Sequence, residues 1–159
     1  MSTFVGFGFG AIQGGLFISD AFSSNSFSRL VVSEIDPITV EQVRNGGGNY
    51  YINIAEADGI RVKKIVGVEI YNPLVPSDRI ELVQAIAEAQ EMCTALPSFK
   101  LYDAGEDSVA KIMCDGLKIK IQSPRYPSAV IYAAENDSCA ASRLRKACEG
   151  YLSDLPRER

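Results

Sequence analysis

The sequence predicts an α/β fold: a doubly wound, mostly parallel sheet with helices on both faces and one inserted antiparallel hairpin. Three observations predict it. Short apolar runs alternate with segments of helical period along most of the chain. A glycine-rich turn joins the first strand to the first helix. A single stretch, from Tyr50 to Val62, changes to strict alternation and carries Asp58-Gly59 at its middle.

Each element has its own signal. The first strand is Thr3 to Phe7. A helix follows from Ala11 to about Phe22, with Ile12, Leu16 and Phe22 at near-helical spacing on its expected inner side. Ser23-Ser24-Asn25-Ser26 closes it as a polar loop. Leu30 to Ile35 is a near-continuous apolar run, the form of a parallel strand covered on both faces. Pro37 suits the first turn of a short helix to Val43, and Gly46-Gly47-Gly48 ends it. Tyr50, Ile52 and Ile54, then Ile60 and Val62, then Val66, Val68 and Ile70 read as a hairpin or meander. A helix capped by Ser77 or Asp78 carries Ile80, Val83, Ile86, Ala87 and Gln90 on one side. Met92 to Leu96 is a buried strand stopped by Pro97. A helix from Asp107 to Leu117 turns Val109, Ile112, Met113 and Leu117 inward, and Lys118 to Ile121 is helix end or edge segment. Ala129 to Ala134 is the last strand, and a helix from Ser138 to Glu149 completes residues 1–150 as one domain. Residues 151–159 are expected to be a tail or linker.

The bulk properties narrow the function classes. At 159 residues, the chain suits one domain with a substantial core. Its net charge of −4 offers no electrostatic footprint for nucleic acid, so any anionic ligand must be held by local donors. Cys93, Cys114, Cys139 and Cys148 form no C-x-x-C pair, and there is no histidine to complete a metal site. Reduced, buried thiols fit the cytoplasm. The apolar opening from Phe4 to Ile18 has no preceding Lys or Arg and no small-residue cleavage pattern, and it is shorter than the ~20 residues that span a bilayer. No membrane partner is expected. Without histidine, the usual proton shuttle near neutral pH is missing, and no residue stands out as a catalytic base.

The opening stretch carries the chemistry. Phe7-Gly8-Phe9-Gly10 places two glycines of G-x-G-x-x-G between strand and helix. The first permits the tight turn, and the second lets the backbone approach a pyrophosphate. The N–H groups of Ala11, Ile12 and Gln13 then face that anion at the positive end of the helix. The third position is Gln13 rather than glycine, and Gly14 comes one residue late. An acid at the end of the next strand separates a dinucleotide site from a plain turn. Glu34 lies 24 residues after Gly10, where a carboxylate about 20 residues on is expected to grip the adenosine ribose. A carboxylate there repels a ribose phosphate, which favours NAD over NADP. Asp36 is a second candidate, with helix capping before Pro37 its alternative role. S-adenosylmethionine is an alternative ligand for the same turn and acid.

In an open parallel sheet, ligands lie beyond the carboxyl ends of the strands, here Gly8 to Gly15, Glu34 to Asp36, Thr94 to Ser98 and Glu135 to Asp137. Asn136 or Asp137 could equally cap the last helix. Together these residues resemble the N-terminal Rossmann-like domain of the mannitol dehydrogenase family, the long-chain polyol dehydrogenases, and its mannitol-phosphate dehydrogenase branch above all. The likeness rests on Phe7-Gly8-Phe9-Gly10-Ala11-Ile12-Gln13-Gly14-Gly15, on Glu34, loosely on Thr94-Ala95-Leu96-Pro97, and on Glu135-Asn136. It covers nearly the whole chain but only the family's first half. The resemblance implies hydride transfer between NAD and a polyol or sugar phosphate. It assigns Gly8, Phe9, Gly10, Ala11, Ile12 and Gln13 to the pyrophosphate turn. Thr94, Ala95 and Leu96 would line the nicotinamide side, and Glu135 and Asn136 would orient the nicotinamide ribose or the substrate. The family's catalytic lysine, asparagine and histidine lie in a helical C-terminal domain with no counterpart here. The expected partner is therefore such a domain or a separate subunit, and the chain alone is expected to be inactive. A non-enzymatic NAD-binding or sensing module is the alternative from a different class.

Overall fold

The computed structural model describes residues 2–153. Five strands form one sheet: β1 (Thr3–Phe7), β2 (Arg29–Ser33), β5 (Val68–Tyr71), β6 (Ala89–Thr94) and β7 (Val130–Ala133). Their order is β5-β2-β1-β6-β7, and every neighbouring pair is parallel. The chain winds outward from β1 through β2 to β5, then returns to the other side of β1 for β6 and β7. The fold is thus Rossmann-like, and the strand order reverses beside β1. A separate antiparallel ribbon pairs β3 (Tyr50–Glu56) with β4 (Gly59–Ile65) around the turn at Asp58-Gly59.

Alternation along β1 divides the core in two. Val5 and Phe7 face a layer that holds Leu82 and Ile86 of α3 (Pro76–Glu88), Ile112 and Met113 of α4 (Val109–Gln122), and Leu144 of α5 (Ala140–Tyr151). Phe4 faces the opposite layer, with Ile18 and Ala21 of α1 (Ile18–Ser24) and Val40 and Val43 of α2 (Pro37–Asn45). Burial of apolar area on both faces, at about 25 cal/mol per Å², accounts for the apolar runs inside β1 and β2, Phe4 to Phe7 and Leu30 to Val32.

Several expectations are corrected. Val68 to Tyr71 is not a third meander strand but β5, parallel to β2, because the chain turns at Gly67 after β4. Neither Ser77 nor Asp78 caps α3: Val75 is its N-cap, and Pro76 holds the first turn. Asp78 is instead a buried acceptor for Arg44 Nη2 at 2.6 Å and the Asn72 N–H at 2.8 Å. On α3, Leu82 and Ala85 are buried while Ile80 is exposed. Residues 118–121 belong to α4. Within that stretch the Lys120 ammonium is buried and donates to Ala89 O at 2.6 Å and Pro127 O at 2.8 Å. Tyr151 ends α5, and of the expected tail residues 154–159 lie outside the described residues.

The first helix departs most from expectation. Ile12 and Leu16 are 53% and 49% exposed, while Gln13 and Gly14 are buried. Helical backbone runs continuously over residues 11–24, but Gln13–Phe17 is a π segment. The Ile18 N–H reaches back five residues to Gln13 O. One extra residue in that turn shifts the phase of everything before it relative to Ile18 and Ala21. A straight 3.6-residue period therefore points Ile12 and Leu16 the wrong way.

Candidate functional site

Hydrogen bonds just past the strand ends gather the candidate residues on one rim. Gly8 N donates to Ser33 O at 2.8 Å, and Glu34 N to Tyr71 O at 3.0 Å. Ala95 N donates to Phe7 O at 3.1 Å, and Ala134 N to Thr94 O at 2.9 Å. The glycine turn, Glu34, residues 94–96 and residues 134–136 thus follow one another along the carboxyl edge of the sheet, the edge that receives ligands in this architecture.

Gly8 has φ of +82°, a conformation that side chains disfavour, and a Cβ there would stand 3.0 Å from Ala95 O. The Phe9 ring folds back against Tyr50, edge to face at 5.0 Å. Gly10, Ala11 and Ile12 are exposed, and a Cβ at residue 10 would project into open space. Helical backbone begins at residue 11, its first internal bond runs from Gly14 N–H to Gly10 O at 2.8 Å, and Gly10 has no side chain with which to cap that start. First-turn N–H groups have no acceptor within a helix, so this end is open to an anion. Gln13 contributes its main chain to that turn, but its side chain points inward. It is 0% exposed, its carboxamide atoms have no hydrogen-bond partner among the described residues, and it lies over Gly6.

Glu34 reaches the same turn. Its Oε2 accepts the Phe9 N–H at 2.7 Å, and its Oε1 accepts the Asp36 N–H at 2.9 Å. The carboxylate is therefore already aimed at the glycine turn by two main-chain donors. Asp36 takes the capping role of the two that the sequence left open. Its oxygens accept Ile38 N–H at 3.2 Å, Thr39 N–H at 3.1 Å and the Thr39 hydroxyl at 2.5 Å. The Thr39 hydroxyl, followed by these N–H groups, holds the carboxyl below its ordinary range.

At the other end of the rim, Glu135 is buried and its carboxylate is committed. Oε2 accepts Thr94 Oγ1–H at 3.0 Å and the Tyr102 hydroxyl, and Oε1 accepts Leu96 N–H at 3.0 Å. Burial, and Glu135 after it, push the Tyr102 phenol up. Cys93 is pushed up to about 12 by the same two causes, an inert thiol. Asn136 is exposed at the mouth, whereas Asp137 accepts Cys139 N–H at 2.9 Å and Arg143 Nε–H at 2.6 Å at the entry to α5. Tyr102 is the residue that sequence reasoning missed. It sits in a 3₁₀ turn, Phe99–Asp103, too short to leave a period in the sequence.

The rim is thus asymmetric. The β2 side offers a preset carboxylate, the centre offers exposed main chain at a helix start, and the β6–β7 side offers a wall of polar groups bonded to one another. A groove of about 860 Å³ lies elsewhere, beside β7, with Leu117, Ile131, Leu144 and Cys148 among its lining. Arg145, Glu149 and Ser153 form its polar edge, and none of the strand-end residues Gly8, Glu34, Thr94 or Glu135 lines it. Among the described residues no helix is long and apolar enough to cross a membrane. Compared with known proteins, the chain matches no family model and no curated protein.

Proposed function

We propose that this chain is the cofactor-binding domain of an NAD-dependent oxidoreductase of the polyol dehydrogenase type. The observation that carries the reading is the bond from Phe9 N–H to Glu34 Oε2, 2.7 Å. It joins the two halves of a dinucleotide signature, phosphate turn and ribose acid, at one mouth. Gly10 and the open helix start leave room and donors for a pyrophosphate. Glu34 would accept the adenosine ribose hydroxyls and disfavour a ribose phosphate. Thr94, Ala95 and Leu96 would border the nicotinamide half, with Asn136 reaching its ribose or the substrate.

When bound, the nicotinamide supplies the hydride chemistry; these residues bind and orient it. By resemblance to the mannitol dehydrogenase family, the substrate would be a polyol or sugar phosphate, and a helical domain or subunit would add the catalytic groups. The four free thiols support a cytoplasmic setting. A non-enzymatic NAD-binding module is the second reading. It is favoured by the internal commitment of Glu135, whose oxygens serve Thr94, Tyr102 and Leu96 rather than the open mouth.

Calorimetric titration with NAD, NADP and S-adenosylmethionine tests the cofactor. The expected result is NAD binding tighter than NADP, with no S-adenosylmethionine binding. No NAD binding would overturn the reading, and S-adenosylmethionine binding would move the chain toward a methyltransferase. Polyol turnover by the chain alone would refute the need for added catalytic groups.

A further inference from the structure

We infer that Tyr102 is a positioning residue for the nicotinamide half of the site, acting through Glu135. The inference rests on the dinucleotide reading above and deepens it. Tyr102 is only 2% exposed, and its ring belongs to the core shared with α3, α4 and α5. Its 3₁₀ turn is fastened to α5 at both ends. The Arg143 guanidinium lies 4.2 Å over the Phe99 ring, and the Tyr151 hydroxyl donates to Asp103 Oδ1 at 2.8 Å. The phenol is therefore presented to Glu135 from a fixed frame.

Glu135 passes that position on. Its carboxylate joins the end of β6 through Thr94, the following loop through Leu96 N–H, and the 3₁₀ turn through Tyr102. A buried carboxylate holds such a place only while donors replace its lost water. The loop it holds is the one that meets the glycine turn. A Cβ on residue 8 would stand 3.0 Å from Ala95 O and 3.3 Å from Leu96 Cδ2. Tyr102, Glu135 and Leu96 thus set the wall on the β6 side of the turn. Among the described residues, no hydrogen bond joins Glu34, on the β2 side, to this cluster. Without the Tyr102 hydroxyl, Oε2 of Glu135 keeps one donor of two and the wall loosens. A ligand extending to β6 and β7 should weaken, and one confined to the β2 side should not.

The test compares NAD with ADP, which lacks the nicotinamide half, by calorimetric titration of the parent chain, Tyr102→Phe and Thr94→Val. The second variant removes the other Oε2 donor. For either variant that folds, the expected result is a loss of roughly five- to tenfold for NAD, with ADP affinity within about twofold of the parent. A purely structural role would weaken both ligands alike or neither, and either pattern overturns the inference. A parent that binds ADP but not NAD overturns it while leaving the adenosine half standing. A parent that binds neither brings down the NAD reading itself. If both variants fail to fold, the cluster is a core requirement and the inference falls.

Discussion

Gln13 occupies the space that a side chain on Gly6 would need. A Cβ on residue 6 would lie 2.3 Å from Gln13 Nε2 and 2.6 Å from its Cδ. In the glycine motif, the third glycine lets helix and strand pack closely. Here the helix carries the bulk, and the strand supplies the glycine. Gly6→Ala should cost about 1–3 kcal/mol by overpacking. Gln13→Ala relieves the clash, so the double variant should be more stable than the summed singles by at least about 1 kcal/mol. Denaturant unfolding of the four proteins measures this, and simple additivity would mean that the two residues do not compete. Because the Gln13 side chain points away from the mouth, Gln13→Gly should keep NAD affinity.

Glu34→Arg should weaken NAD binding by roughly ten- to a hundredfold and relax discrimination against NADP. It removes the ribose acceptor and also the acceptor for Phe9 N–H and Asp36 N–H. Glu34→Gln keeps one acceptor oxygen and should lie between. Equal NAD titrations for parent and Glu34→Arg would take this residue out of the site.

Gly116 is where α4 crosses α3. A Cβ there would stand 2.4 Å from Ile86 Cγ2 and 2.9 Å from Val83 O. Alanine has the better helix propensity, by about 1 kcal/mol. Ile86 is fully buried with no room to retreat, so the clash should win and Gly116→Ala should destabilise by about 1–3 kcal/mol net. Chemical denaturation reads this directly; a stabilised variant would show that the helices can separate cheaply.

The acid limb of stability should depend on Glu69. Arg29 bonds to it at 2.7 Å and, with the Tyr71 hydroxyl, holds its carboxyl below the ordinary value against the opposing effect of burial. The folded state therefore binds fewer protons than the unfolded one. The resulting stability is fully present above the unfolded value, about pH 4.3, and is lost as pH falls through the lowered folded one. Glu69→Gln should flatten the fall in unfolding free energy across that window. An unchanged slope would assign acid sensitivity to other carboxylates.

Local patterns were legible, and tertiary choices were not. The parallel sheet, the Gly8–Gly10 turn, Glu34 and the Asp58-Gly59 hairpin turn each write their cause into adjacent residues. Lys120 reads like Lys118 and Lys111, because its acceptors, Ala89 O and Pro127 O, come from elsewhere in the fold. Asp78 reads as a cap because Arg44, its partner, is 34 residues away. Glu135 was legible as an acid at a strand end. Its commitment to Tyr102 was not, since an isolated tyrosine in a short turn has no pattern.

The π segment at Gln13–Phe17 takes up one residue of chain without changing direction. Were that residue deleted, the Ile18 N–H would reach the same Gln13 O as an ordinary i→i−4 bond. Five residues in the wide turn wind about as far as four in an α-helix, so Gln13 would stay over Gly6 and the donors at residues 11–13 would keep their aim. The same surplus residue in a helix unable to widen would swing the glycine turn by about 100°. In this fold the wide turn is a slack loop of thread, and it leaves the mouth pointing where the sheet needs it.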